Sequence, residues 1–243
     1  MSPTHSYVTL RAATDPMEDV RAVSAPGASA DEVVLTTTNV RSMTLDGDAL
    51  SARGVARVIV DGETVAVTSG AIAVGPQSGK RPDVHGPFDQ ALMRPFCLVY
   101  PDDGPAVLRD YAAFLASWWA VQGNGASCSL PESEVDDTLL AERNLVWIGR
   151  IGASARWAGE LPLGGGPTLR VGDATFADAV LVFAFPQGDG SRLGGGVLVT
   201  PGDEHLLFRW QPYTSQLVAP DYLVFGDGGA QAAGFFDADW SLP

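Results

Sequence analysis

Residues 96–122, FCLVYPDDGPAVLRDYAAFLASWWAVQ, place a continuous apolar run directly before a segment with helical periodicity. The run FCLVY has the length and composition of a strand that is buried on both faces. In the segment that follows, large apolar residues recur every three or four positions from Val107 to Trp119. Pro105 suits the first turn of a helix and Gly123 suits its end. The stretch therefore predicts a strand followed by a helix, the unit from which layered α/β folds are built.

Apolar runs continue this pattern downstream, at residues 144–149, 179–186, 195–200 and 221–226. Helices are predicted from Ser133, where Asp136 has the spacing of a capping box, and from Ser154 to about Gly159. The glycine triplets 164–166 and 194–196 predict tight or mobile turns. Continuous apolar strands that alternate with helices imply a mostly parallel sheet with helices on both sides. We expect residues 88–243 to form a three-layer, flavodoxin-like α/β unit.

The chain before residue 76 has the pattern of a β unit. The stretch EVVLTTTNV (32–40) is rich in β-branched residues, and ARVIVDGETVAVT (56–68) contains two alternating runs joined by Asp61-Gly62. Asp-Gly between two such runs is a strong signal of a two-residue hairpin turn. We expect residues 1–75 to form a small antiparallel β unit, a meander or half sandwich, and the Gly/Pro-dense segment 76–87 to be a linker.

Composition limits the classes of partner. The chain has 243 residues, 46% of them hydrophobic, and a formal net charge of −14. This charge repels a phosphate backbone, so nucleic acid and anionic membrane surfaces are not expected partners. No apolar stretch has the length of a membrane span, and we see no export signal, so we expect no membrane insertion.

The two cysteines, Cys97 and Cys128, make no disulfide framework by their number. They can pair only where the fold brings them together. Cys97 lies in the apolar run FCLVY, where a small buried thiol is the commoner outcome. The sequence leaves both possibilities open.

The loop after residues 144–149 is a candidate ligand site. The stretch NLVWIGRIGASARW (144–157) carries Gly149, Arg150, Gly152 and Ser154 at the carboxyl end of a predicted strand. Backbone N–H groups at such a position, beside a fixed positive charge, suit an anion. The spacing matches neither a dinucleotide fingerprint nor a phosphate-binding loop with its lysine. A plain strand-to-helix connection, with Ser154 as a helix cap, is the favoured reading, and an anion or small-ligand site is the alternative.

A second alternative is a small serine hydrolase that uses Ser154 with His205. The stretch GASAR (152–156) differs from the G-x-S-x-G nucleophile turn only at its last position. His205 follows it with several aspartates between, which permits the order Ser, Asp, His. No complete catalytic constellation emerges, so we predict no catalytic residue and leave enzyme activity open. No metal-ligand spacing is present either, and neither a metal nor a cofactor is expected.

Four stretches in order also resemble a known family: KRPDVHGPFDQA (80–91), ERNLVWIG (142–149), APDYLVFG (219–226) and AGFFDADW (233–240). They are similar to the C-terminal region of large bacterial prolyl-oligopeptidase-like proteins, which are described as serine peptidases or esterases. In that family an α/β-hydrolase core comes first, and a β segment with a T-x-N-V stretch, here TTTNV (36–40), leads into an α/β tail. The resemblance covers nearly the whole chain.

The resemblance implies an accessory region without the catalytic core. None of the family's catalytic Ser, Asp and His residues has a counterpart in this chain. The partner that it implies is an α/β-hydrolase core domain or protein, and relatives with export signals suggest an extracytoplasmic setting. The chain departs from the pattern at Arg150 and Ser154-Ala155, where such proteins tend to have Asp and then Ser-Asn, and at Gln90-Ala91-Leu92, where they favour Asp-Ala-Phe.

Overall fold

The computed structural model describes residues 4–5, 7–14, 18–76, 79–81, 84–123, 125–153, 155, 159, 161–187, 190–209 and 220–243. The chain divides into two compact units, Met1–Pro82 and Asp83–Pro243. This boundary lies inside the segment 76–87 that the sequence predicts as a linker. Among the helices of the described residues, none is long and apolar enough to cross a membrane.

The first unit is built from two four-stranded sheets. The described elements are β1 (Thr4–His5), β2 (Val8–Ala13), β3 (Arg21–Pro26), β4 (Glu32–Thr38), β5 (Val40–Asp46), α1 (Gly47–Ser51), β6 (Arg57–Val60), β7 (Glu63–Ala66) and β8 (Ala71–Val74). In one sheet the strand order is β1-β2-β5-β8, and in the other it is β3-β4-β6-β7. The short helix α1 follows β5.

Both sheets of the first unit contribute to one apolar core. Met43 and Leu45 from β5 lie in the same buried cluster as Leu35 from β4 and Val58 from β6. The arrangement is a small sandwich. It is not wholly antiparallel as expected, because β4 pairs with β6 in parallel. The hairpin signal at Asp61-Gly62 is confirmed: β6 and β7 pair across it, and both turn residues have positive φ, 48° and 95°.

The second unit is organised around a seven-stranded sheet. Its described strands and α-helices are β9 (Phe96–Tyr100), α2 (Ala106–Gln122), β10 (Cys128–Pro131), α3 (Asp137–Glu142), β11 (Asn144–Gly149), β12 (Leu163–Gly164), β13 (Leu169–Val171), β14 (Ala174–Phe176), β15 (Ala179–Gln187), β16 (Arg192–Val199), β17 (Tyr222–Gly226) and β18 (Gly229–Gly234). Short 3-10 helices are described at Phe88–Leu92, Glu132–Glu134 and Glu204–Arg209. The strand order of the large sheet is β10-β9-β11-β16-β15-β17-β18, and β12, β13 and β14 form a separate three-stranded sheet.

The prediction of a three-layer, flavodoxin-like α/β unit with a mostly parallel sheet is wrong. Among the described residues 43% are in strands and 20% in helices, so the described fold is mostly β. In the large sheet, the pairings β10–β9, β9–β11 and β11–β16 are parallel, whereas β16–β15, β15–β17 and β17–β18 are antiparallel. A connection of only four residues joins β15 to β16, and a link that short permits a hairpin but no parallel crossover.

The glycine triplet 194–196 explains why that hairpin escaped the sequence reading. The triplet lies inside the buried strand β16 and makes no turn. A Cβ atom at Gly195 would lie 2.6 Å from the backbone oxygen of Phe183, and one at Gly196 would meet the Phe183 ring. Neighbouring aromatic groups therefore fill the space that side chains would need. Glycine here serves close packing within a strand.

One helix prediction also needs correction, and a second helix prediction is not tested by the described residues. The helix expected from Ser133 begins instead at Asp137, because the Asp136 side chain accepts a hydrogen bond from the Leu139 N–H at 2.8 Å and caps it. The predicted helix at 154–159 lies largely outside the described residues. At the carboxyl end, residues 229–234 form β18 and pair with β17, which accounts for part of the AGFFDADW stretch.

Candidate functional site

The strands β10, β9 and β11 end side by side, at Pro131, Tyr100 and Gly149. From β9 the chain runs through α2 to β10 on one side, and α3 then returns it to β11 on the other side of β9. A reversal of this kind leaves a crevice at the carboxyl edge of the strands, where open α/β sheets bind ligands. The loops at this edge, which we call the carboxyl-edge loops, carry Asp102, Asp103, Glu132, Ser133 and Arg150.

Arg150, the predicted cation for an anionic ligand, forms an ion pair with Asp103. Both side chains are exposed, with 54% and 75% of their surface accessible. An ion pair so open to water contributes about 0–1 kcal/mol to stability. The guanidinium group therefore already has an internal carboxylate, which an external anion would have to displace.

The loop after β11 also holds an internal carboxylate. The Ala153 N–H donates a hydrogen bond of 2.7 Å to Glu132 Oε1. Gly149 has a φ of 82°, which favours glycine, and a side chain at Gly152 would overlap the Glu132 carboxylate and the buried Trp147 ring. The two glycines are thus explained by a turn and by close packing. The Glu132 carboxylate therefore occupies the position beside the Ala153 N–H that an anionic ligand would take.

Ser133 and Asp102 form a third contact between these loops. The Ser133 hydroxyl donates to Asp102 Oδ1 at 2.6 Å, and its backbone N–H donates to Asp102 Oδ2 at 2.9 Å. A nucleophilic serine needs a base that accepts its proton at the moment of attack. Here both donors of one serine hold one carboxylate, an arrangement that fixes the loop after β9 to the loop after β10.

Of the two residues in the serine-hydrolase alternative, His205 lies within the described residues. Ser154 lies outside the described residues. His205 is exposed in the 3-10 helix Glu204–Arg209, which follows β16. Since β16 pairs in parallel with β11, His205 and the loop that leads to Ser154 leave the sheet at the same edge. His85 is exposed, and its backbone N–H donates to Gln90 Oε1 at 2.9 Å.

Tyr111 is a titratable group inside the second unit. It lies in α2 and is fully buried. Burial raises the pKa of its hydroxyl well above the ordinary value of 10.0, because the phenolate would lose its hydration. The phenol is therefore neutral at ordinary pH and is unsuited to accept protons as a general base.

One apolar hollow lies between α2 and the 3-10 helix Phe88–Leu92. Its enclosed space is about 10 Å³, enough for roughly one water molecule and too small for an organic ligand. Trp118 and Trp119 form part of its wall. The lining residues are Phe88, Leu92, Phe96, Leu98, Leu115, Trp118, Trp119 and Val146.

The four stretches that resemble the prolyl-oligopeptidase-like family meet at the edge of the large sheet opposite to the carboxyl-edge loops. The Asn144 side chain donates to the Ala91 carbonyl at 2.8 Å and so joins stretch 142–149 to stretch 80–91. The Phe88 N–H donates to the Pro220 carbonyl at 3.4 Å and joins stretch 80–91 to stretch 219–226. Asn144 is buried, with 1% of its surface exposed.

Asp221 is the centre of this arrangement, which we call the motif framework. It is 1% exposed, and its Oδ2 accepts a hydrogen bond of 2.8 Å from the Phe236 N–H. Gly86 packs directly against its carboxylate. Phe236 also contacts the rings of Tyr222 and Trp240, with centroids 5.6 and 5.9 Å apart. The sequence predicts Asp221 only as the start of the apolar run 221–226, and the local pattern carries no signal for its buried carboxylate.

No three His, Cys, Asp or Glu side chains converge on a possible metal position within the part of the chain that the structure describes. The carboxylates of the carboxyl-edge loops have hydrogen-bond or ion-pair partners within the protein, as described above. The described contacts join the three carboxyl-edge loops to one another.

No protein-family model matches the sequence. No curated protein sequence matches it either.

Proposed function

We propose that the chain is a non-catalytic accessory or interaction domain associated with a prolyl-oligopeptidase-like serine hydrolase. The observation that supports this proposal is the motif framework. The four stretches through which the sequence resembles hydrolase-associated regions interlock by hydrogen bonds and packing around Asp221 and Asn144, both 1% exposed. Residues used in this way specify a fold, and no substrate atom can reach them.

The carboxyl-edge loops support the same proposal. A catalytic site keeps its donors and its charges available for the reacting group. Here Arg150 is paired with Asp103, and the Ala153 N–H is taken by Glu132. The Ser133 hydroxyl donates to Asp102. No histidine takes part in the described hydrogen bonds of Ser133. These contacts favour a structural edge over a reaction centre.

A second candidate function is a serine hydrolase that uses Ser154 and His205. The observation in its favour is that both residues follow the carboxyl ends of neighbouring parallel strands, β11 and β16. Nucleophile and histidine also meet at such an edge in α/β-hydrolases. An activity-based probe separates the two candidates without knowledge of a substrate.

The test is fluorophosphonate labelling of the purified chain. We expect no labelling above that of the heat-denatured chain, because the proposal holds that no serine of the chain is activated by a base. The same result is expected for the Ser154→Ala and His205→Ala variants. An unrelated active serine hydrolase in the same reaction verifies the probe. Labelling of the native chain that disappears in both Ser154→Ala and His205→Ala would overturn the proposal in favour of the second candidate.

A further inference from the structure

Cys97 and Cys128 form a disulfide between two neighbouring strands. They are direct partners in the parallel pairing of β9 and β10, and their Cα atoms are 4.5 Å apart. This spacing is within the range that a disulfide requires. Cys97 is fully buried and Cys128 is half-buried, and they are the chain's two cysteines.

The disulfide fastens β10, one of the two edge strands of the large sheet. β10 has only four residues, and its partner in the sheet order is β9. Its last residue is Pro131, which lacks an N–H to donate to a neighbour. A strand that is short, terminal and low in donors is weakly held by its backbone alone, so the covalent bond at Cys128 contributes much of its attachment.

The same strand positions the carboxyl-edge loops. Glu132 and Ser133 follow directly after β10. Glu132 accepts from the Ala153 N–H in the loop after β11, and Ser133 donates to Asp102 in the loop after β9. Any displacement of β10 therefore removes the Glu132 carboxylate from the loop after β11 and removes Ser133 from the loop after β9.

We propose that the Cys97–Cys128 disulfide is a redox-sensitive lock on the carboxyl-edge loops. With the disulfide formed, β10 holds Glu132 and Ser133 in place and the loops are closed. With the disulfide reduced, β10 detaches, and the Ala153 N–H and the Asp102 carboxylate lose their internal partners. The lock is closed in an oxidising compartment and opens where dithiol reductants are abundant. This inference is independent of the proposed accessory function.

The opening step consumes one dithiol. A thiolate of the reductant attacks the sulfur of Cys128, which is the more exposed of the two. The sulfur–sulfur bond breaks, and Cys97 leaves as a thiolate that takes up a proton. The second thiol of the reductant then displaces Cys128 from the mixed disulfide, which leaves two protein thiols and one oxidised reductant.

Hydrogen exchange followed by mass spectrometry tests the lock. Three samples of the full chain are compared: oxidised, reduced with dithiothreitol, and the Cys97→Ala/Cys128→Ala variant. We expect amide exchange in residues 128–142 and at Ala153 to be at least about tenfold faster in the latter two samples. Exchange in β17 and β18 stays unchanged. A Glu132→Ala variant serves as the matched control, since it frees Ala153 while β10 keeps its protection.

Three results would overturn the inference. The first is two free thiols in the purified chain after air oxidation, as counted with a thiol-reactive dye. The second is identical exchange in oxidised and reduced chain. The third is acceleration spread evenly over the whole sheet in both the reduced chain and the double variant, because that result would mean general destabilisation without a local lock.

Discussion

Gly86 shows how a single residue connects the motif framework. Its φ of 75° lies in the left-handed region, and its Cα is in contact with the buried carboxylate of Asp221. Any side chain here meets two obstacles, because the backbone conformation disfavours a Cβ and the carboxylate occupies the space. The glycine in the His-Gly-Pro sequence is therefore required by the fold.

Gly86 can be compared with Gly190, a second glycine that has nearly the same positive φ. Gly190 also lies in the second unit with a φ of 76°, but nothing stands within 4 Å of its would-be Cβ. We expect Gly190→Ala to lower the free energy of unfolding by about 1–2 kcal/mol, the cost of a strained φ. Gly86→Ala should cost roughly 1–3 kcal/mol more, because it also overpacks the site of Asp221.

Urea denaturation followed by tryptophan fluorescence measures both variants. All six tryptophans lie in the second unit, so the signal reports that unit alone. Equal losses of unfolding free energy in Gly86→Ala and Gly190→Ala would mean that the contact of Gly86 with Asp221 is not rigid. That result would count against the motif framework as a determinant of the fold.

The carboxyl-edge loops mark the limit of sequence reasoning at the residue scale. The sequence indicated that Gly149 and Gly152 make a turn, because glycines after a buried strand have few other uses. It gave no sign that Glu132 would supply the carboxylate for this loop. That contact joins positions 21 residues apart through the Ala153 N–H. Local pattern carries no information about pairs so far apart in the chain.

At the scale of elements, strands were easier to predict than their directions. Continuous apolar runs identified β9, β11, β15 and β17 nearly to their ends, because full burial leaves a plain hydrophobic signature. The same signature does not distinguish a parallel strand from a central antiparallel one. The glycine triplet 194–196 then concealed the start of β16, since the Phe183 backbone and ring that explain it lie on another strand.

Helix α3 provides a prediction at this scale. Asp136 caps its first turn by accepting from the Leu139 N–H, and the helix begins at Asp137. We expect Asp136→Ala to reduce the free energy of unfolding by about 0.5–2 kcal/mol, because a helix donor loses its partner. The matched control is Glu134→Ala, an exposed acidic neighbour of equal charge, which should change stability by less than about 0.5 kcal/mol. Equal effects in denaturant titrations would argue that charge, and not the cap, sets the start of α3.

At the scale of the whole molecule, the two units have separate apolar cores. One core joins the two sheets of the sandwich, and the other fills the space around the seven-stranded sheet. The net charge of −14 opposes self-association and favours a partner with complementary basic surface. This negative charge is compatible with an accessory domain that docks on another protein.

Titration of the chain against a hydrolase core tests whether the chain docks on such a core. The ligand is the isolated α/β-hydrolase core of a prolyl-oligopeptidase-like protein from which its own C-terminal region has been removed, and a trypsin-like serine hydrolase is the control. By isothermal titration calorimetry we predict a Kd of about 1 µM or tighter for the core, which corresponds to roughly −8 kcal/mol, and no binding of the control. No heat of binding to the core at about 100 µM, with a chain that is folded by circular dichroism, would contradict the account.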